Sequence, residues 1–173
     1  MNRNTFLKTL GLSAAAIVMP DFAQGAVKSE YIASPWPEYN AYFGGFKKGE
    51  SVMISGARRT GKSTILRQIH CATKGPTFYN YFFLHLDNEV LNSKYGKLFI
   101  EKIRNCKPET PIFIDNLSCS ARLKLDPYLE GKTLIYTTGI NRCWVDHKGF
   151  VLENGILKCL KNRNGQGDFS LKI

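Results

Sequence analysis

The stretch Ser51-Val52-Met53-Ile54-Ser55-Gly56-Ala57-Arg58-Arg59-Thr60-Gly61-Lys62-Ser63 joins an apolar run to a glycine-bounded turn and then to a helical pattern. Ser51 to Ser55 has the composition of a strand, and Gly56 breaks it. A helix is expected to begin near Gly61, because Ile65, Leu66, Ile69 and His70 recur at helical spacing. The turn between them satisfies G-x-x-x-x-G-K-[ST]. Its glycines let the backbone turn tightly and bring its N–H groups against phosphate oxygens, and the N-terminus of the following helix adds to the attraction for an anion. Lys62 is expected to reach the β- and γ-phosphates, and the Ser63 hydroxyl to ligate Mg²⁺. The expected ATP-binding set is therefore Gly56, Ala57, Arg58, Arg59, Thr60, Gly61, Lys62, Ser63 and the adjoining Thr64, with Mg²⁺ as the companion ion. Arg58 and Arg59 are unusual in such a loop. They either add charge near the γ-phosphate or point outward at solvent, and the sequence leaves both open.

Outward from this unit, Gly75-Pro76 ends the helix, and the aromatic and apolar run Phe78 to Leu86 reads as a second strand. Glu89 to Arg104 is expected to form one helix, with Leu91, Leu98, Ile100 and Ile103 available for its inner face. Pro111-Ile112-Phe113-Ile114-Asp115 is a short apolar strand that ends in an acid. Lys132 to Thr138 reads as another strand, and Val151 onward as two or three short terminal strands. Residues 26–50, punctuated by Pro35, Pro37, Gly44, Gly45 and Gly49, are expected to be irregular. Continuous apolar strands alternating with helices belong to a parallel sheet covered on both faces, so the fold class is α/β.

Parallel strands direct their C-terminal ends toward the ligand crevice. Asp115 is therefore placed to hold Mg²⁺ together with Ser63. Two further carboxylates, Asp87 and Glu89, follow the second strand. Either could polarise an attacking water, or the pair could simply be a helix N-cap and a first-turn acid.

The chain has 173 residues, 43% of them hydrophobic and 22% charged, which suits one globular domain and excludes general disorder. Its 24 Lys+Arg against 14 Asp+Glu leave a formal net charge of +10, which favours a polyanionic partner. Five cysteines with no C-x-x-C pair argue against a disulfide framework and against a zinc ribbon. The segment 1–25 pulls in two directions. Arg3 and Lys8 precede an apolar run from Leu10 to Met19, and Ala23-Gln24-Gly25 follows, as in an export leader. The run is too short to span a membrane, so no stable membrane association is expected. A short apolar helix docking on a neighbouring subunit is the other reading. It agrees with a cytoplasmic protein, since ATP is made and kept there.

Five segments in order resemble the RecA-like ATPase core of DnaB-type replicative DNA helicases. Phe43-Gly44-Gly45-Phe46-Lys47-Lys48-Gly49-Glu50 is similar to that family's approach to the phosphate loop. Phe83-Leu84-His85-Leu86-Asp87 is similar to its second-strand motif, whose last position is the catalytic acid. Ile112-Phe113-Ile114-Asp115-Asn116-Leu117 resembles its Walker B segment, and Thr138-Gly139-Ile140-Asn141-Arg142 its S-Q-L-N-R motif. Leu160-Lys161-Asn162-Arg163-Asn164-Gly165, with Phe169 to Ile173, resembles its terminal K-x-R-x-G motif and last strand. The resemblance implies a RecA-like P-loop NTPase over residues 26–173, assembled as a homo-oligomer, a hexameric ring, that moves along single-stranded DNA. It implies that Lys161 and Arg163 act in trans on the γ-phosphate held by a neighbour. It also points to the gaps between motifs as DNA-binding loops, with Arg122 and Lys124 in one and Arg142 and Lys148 in the other tracking the phosphate backbone. The chain departs from the family at Gly139, where the family has a γ-phosphate-sensing Gln, and in the shortness of those gaps.

Overall fold

The computed structural model describes residues 30–80, 85–139, 146–163 and 168–173. The expected segment 1–25, residues Phe83 and Leu84 of the second-strand motif, and Arg142 lie outside them. The described chain runs β1 (Tyr31–Ile32), α1 (Pro37–Phe43), β2 (Phe46–Lys47), β3 (Ser51–Ser55), α2 (Lys62–Ala72), β4 (Phe78–Asn80) and α3 (Asn88–Asn92). It continues through α4 (Lys94–Asn105), β5 (Ile112–Ile114), α5 (Cys119–Leu129), β6 (Leu134–Thr137), β7 (Lys148–Glu153), β8 (Ile156–Asn162) and β9 (Ser170–Lys172).

Seven strands form one sheet in the order β4-β5-β6-β3-β7-β8-β9. The first five are parallel, and β8 and β9 add antiparallel hairpins at one edge. The α/β class with a mostly parallel sheet and short terminal antiparallel strands is as expected. Every residue of β3, β5 and β6 is buried, because helices lie on both faces and leave no solvent side. Within these uniformly apolar runs the pleat sorts side chains between two cores. Val52, Ile54, Phe113 and Ile135 meet Ile65, Leu66 and Ile69 of α2 on one face. Met53, Ile112, Ile114, Leu134 and Tyr136 meet Leu91 of α3, Phe99 and Ile103 of α4, and Leu125 and Leu129 of α5 on the other.

Three expectations are corrected. Residues 26–50 are not irregular throughout. Pro37 starts α1 at a position where its missing N–H is no loss, and Tyr39 on that helix is buried against Phe43, Phe46, Phe150 and Phe169. The single helix expected over 89–104 is two. Ser93 lies between them in extended backbone, and its hydroxyl caps α4 by accepting from the Gly96 N–H. Gly96 then passes so close to α3 that an added Cβ would lie 2.2 Å from the Val90 carbonyl oxygen, so only glycine permits the bend. The gap assigned to a DNA-binding loop is helix α5, capped by Ser118 and docked through Ala121, Leu125 and Leu129, which recur every fourth residue.

Helix α5 carries Arg122 into the protein rather than toward a partner. Arg122 is 3% exposed, its Nε faces Asp146 Oδ1 at 3.4 Å, and its Nη1 donates to Asp126 Oδ1 at 2.8 Å. Tyr136 Oη donates to the other oxygen of Asp146, which is fully buried, at 2.6 Å. Burial opposes the guanidinium charge, but the two carboxylates more than offset it and hold the group above its ordinary pKa. Arg122 is therefore spent inside the fold and is withdrawn as a DNA contact. The same holds for Lys148, which is 2% exposed on β7. Its Nζ lies 3.4 Å from Glu50 Oε2 and 5.2 Å from the centre of the Phe43 ring.

Removing one member of a buried charge pair leaves the other uncompensated. Asp146→Ala is expected to destabilise the protein by about 3 kcal/mol, since it removes the buried carboxylate that Arg122 Nε and the Tyr136 hydroxyl both bond and leaves the guanidinium only the exposed Asp126. Asp146→Asn should cost less, because its one amide oxygen still accepts from one of the two donors. Urea unfolding of the two variants checks this; a loss for Asp146→Ala no larger than that of an ordinary surface substitution would contradict it.

Candidate nucleotide site

Strand β3 lies between β6 and β7. The chain leaves β3 for β4 at the far edge and returns through β5 and β6, so the crevice above the C-terminal ends of β3, β6 and β5 is where an α/β sheet accepts ligands. Gly56 follows β3 directly. A Cβ on it would sit 2.7 Å from the Leu152 carbonyl oxygen of β7, so the loop can leave the sheet here only through glycine. Gly61 adopts φ 96° and caps α2, which starts at Lys62. The loop is closed from within: Lys62 Nζ donates to the carbonyl oxygens of Gly56, at 2.9 Å, and Ala57, and Thr60 Oγ1 donates to Ala57 O at 3.0 Å. Ser63 and Thr64 are exposed on the first turn of α2.

Arg59 is held at φ 64°, the left-handed region. For a residue with an ordinary side chain this costs roughly 1–2 kcal/mol. Arg58 and Arg59 are both exposed, and among the described residues neither guanidinium has a hydrogen bond or ion pair.

Asp115 follows β5, with the end of β6 between it and the loop. Burial pushes the Lys62 ammonium below its ordinary pKa, while the Asp115 carboxylate pulls it back up, so the two charges share one environment. The carboxylate is steered by a residue that sequence reasoning missed. Thr137 Oγ1, on the last residue of β6, donates to Asp115 Oδ1 and accepts from the Asn116 N–H at 2.8 Å. Asn116 takes φ 59°, which asparagine tolerates, and the chain turns there so that the Leu117 N–H bonds Thr137 O. A hydroxyl closing the strand beside an acid-tipped strand was the available signal, but Thr133, Thr137 and Thr138 all lie in or beside that run and nothing local chooses between them. These groups fit Mg²⁺ in a nucleotide complex: that ion takes one or two protein ligands and fills its octahedron with phosphate oxygens and water. Ser63 and Asp115 would hold it, and it would neutralise charge between the β- and γ-phosphates.

The second-strand acids are less committed. Asp87 caps α3, its Oδ1 accepting from the Glu89 and Val90 N–H groups at 3.0 and 2.9 Å, and Glu89 is exposed in the first turn. Leu86 bridges Leu117 in parallel, which places Asp87 at the same end of the sheet as Asp115. Lys161 and Arg163 are not brought to the loop of their own chain. Strand β8 runs antiparallel to β7, with Ile156 opposite Glu153 and Asn162 opposite Lys148. The Arg163 N–H bonds His147 O, and the His147 N–H bonds Ser51 O at the start of β3. Five residues of strand separate Ser51 from Gly56, roughly 16 Å at 3.3 Å per residue. Lys124 is exposed on α5, its Nζ 3.3 Å from Asn92 Oδ1.

No helix among the described residues is long and apolar enough to cross a membrane. Residues 48–126 match a family described as an AAA domain. No curated protein matches the chain. Among solved structures, a KaiC-like protein from the hyperthermophilic archaeon Pyrococcus horikoshii superposes with a TM-score of 0.57. The two are 18% identical over 81% of this chain and 92% of that one. With a phosphate loop after the central strand, an acid on the strand beyond its neighbour, and these two likenesses, the chain has the fold and nucleotide-binding loop of a P-loop ATPase.

Proposed function

We propose that this protein hydrolyses ATP at sites completed between subunits of a ring, and that it works as a motor on single-stranded DNA in the manner of a DnaB-type helicase core. The observation that carries the reading is the position of Arg163 at the end of the sheet opposite its own phosphate loop, with Lys161 two residues before it in register with Gly149 and the middle of β3. Cations there can serve a γ-phosphate only if another subunit presents it, which is the division of labour an arginine finger in trans requires. Within one subunit, Lys62 would bind the phosphates, Ser63 and Asp115 would hold Mg²⁺, Thr137 would orient Asp115, and Asp87 or Glu89 would polarise the attacking water. Molar mass in solution tests the ring, measured with and without ATP and single-stranded DNA. A monomer under all conditions removes it.

The DNA part rests on the net charge of +10 and on Lys124 and Arg142. Binding to single-stranded DNA is expected to show little sequence preference and to weaken by about tenfold or more between 50 and 200 mM salt, since each phosphate neutralised releases counterion. Fluorescence anisotropy of a labelled oligonucleotide checks this. Affinity that is flat across that range would mean phosphate contacts do not drive binding.

The burial of Arg122 and Lys148 favours a second reading, a P-loop ATPase or small-molecule kinase with no DNA role, because it halves the set of cations offered for the strand. A related form is a subunit that binds nucleotide only to assemble, in keeping with Gly139 at the position of the family's phosphate-sensing Gln. Nucleotide-dependent assembly with no DNA binding at any salt would select between these and the motor.

A further inference from the structure

We infer that Arg59 is a specificity residue that reads the terminal phosphate of ATP within its own subunit, so that the loop distinguishes a nucleoside triphosphate from a diphosphate. The inference rests on the nucleotide-binding reading of the loop and deepens it.

Three described residues other than glycine take positive φ: Arg59, Asn116 and Asn154. Two are asparagine, whose short polar side chain suits that conformation. Arg59 has no such excuse. Glycine or asparagine would hold the same turn at lower cost, and nothing within the protein repays the arginine: it is exposed and has no hydrogen bond or ion pair among the described residues. A strained residue that contributes nothing to its own fold points to a ligand.

The chemistry of that ligand follows from the position. Arg59 lies between Gly56 and Gly61, in the loop whose backbone N–H groups bind the phosphates. A guanidinium is the side chain best shaped to grip a phosphate with two parallel hydrogen bonds, and it stays charged at any working pH. Arg58 takes no positive φ, so the strain singles out Arg59. The role differs from that of Arg163, which can serve only a neighbour. Arg59 acts in cis and does not depend on assembly.

The test is titration of the full chain, with Mg²⁺, against ADP and against adenylyl imidodiphosphate as a slowly hydrolysed triphosphate. Arg59→Asn removes the charge and keeps a side chain suited to the turn, Arg59→Gly relieves the strain, and Lys74→Asn removes one exposed cation outside the loop. Both Arg59 variants are expected to lose roughly ten- to a hundredfold in triphosphate affinity, the range of a charged hydrogen bond. Their ADP affinity should stay within about threefold of the parent, since no terminal phosphate is present to be read. The melting temperature of Arg59→Gly should not fall, and Lys74→Asn should leave both affinities unaltered. An unchanged ratio of triphosphate to diphosphate affinity in Arg59→Asn overturns the inference while leaving nucleotide binding standing, as does an equal fall in both. Failure of the parent chain to bind either nucleotide would remove the nucleotide reading and this inference together.

Discussion

Lys62→Ala is expected to abolish nucleotide binding while the protein stays folded. The Lys62 ammonium bridges the carbonyls of Gly56 and Ala57 and shares its surroundings with the Asp115 carboxylate. It therefore does two things for the loop: it holds the ends together and offers a cation to the β- and γ-phosphates. Charge-assisted hydrogen bonds of this kind are worth about 1.5–3 kcal/mol each. Losing two of them to phosphate lowers affinity by roughly a hundredfold or more. The cost to the fold is much smaller, because the side chain is only half-buried and the carbonyls it leaves can be taken up by water. Isothermal titration with ATP and Mg²⁺, alongside a thermal melt of the same sample, separates the two effects. A folded variant that binds ATP as well as the parent would refute the assignment of the whole loop.

Arg163→Ala is expected to bind ATP normally and to hydrolyse it about a thousandfold more slowly, the range of an arginine finger. Binding survives because the variant's own loop lies at the other end of the sheet, beyond the length of β3. Hydrolysis falls because a charge that acts only on the transition state has been removed. The decisive measurement is a mixture. Arg163→Ala subunits keep an intact loop, and Lys62→Ala subunits keep an intact finger, so an interface between the two kinds has one of each. Two inactive proteins should then recover part of the parent activity when mixed. No such recovery is possible for a site that lies within one chain. Full activity of Arg163→Ala alone would remove the ring as an explanation for the terminal Lys-x-Arg.

How much was legible beforehand follows from the range of the forces concerned. Helix α5 had a local signal in Ala121, Leu125 and Leu129, but Pro127 and the flanking charges hid it. The division of α3 from α4 had none that a periodicity search could use, because it depends on the close approach of Gly96 to Val90. Asp87 shows the opposite case. Both of its readings were visible, and the hydrogen bonds to Glu89 and Val90 give it the capping role without denying it the other.

By itself, the sequence determined the phosphate loop, the strand before it, the helix after it, the acid at Asp115 and the parallel α/β class. Each depends on neighbours a few residues apart, where glycine conformation, strand composition and helical spacing act directly. Which cations face outward was decided only by the tertiary structure. Arg122 and Lys148 look like any other basic residues along the chain. They are buried because Asp146 and Glu50, 24 and 98 positions away, meet them across the packed sheet. The same holds for Thr137, whose hydroxyl finds Asp115 only because β5 and β6 pair side by side. A charge or a hydroxyl is assigned its work by whatever the fold brings within hydrogen-bonding distance, and that distance is not written in the spacing of residues.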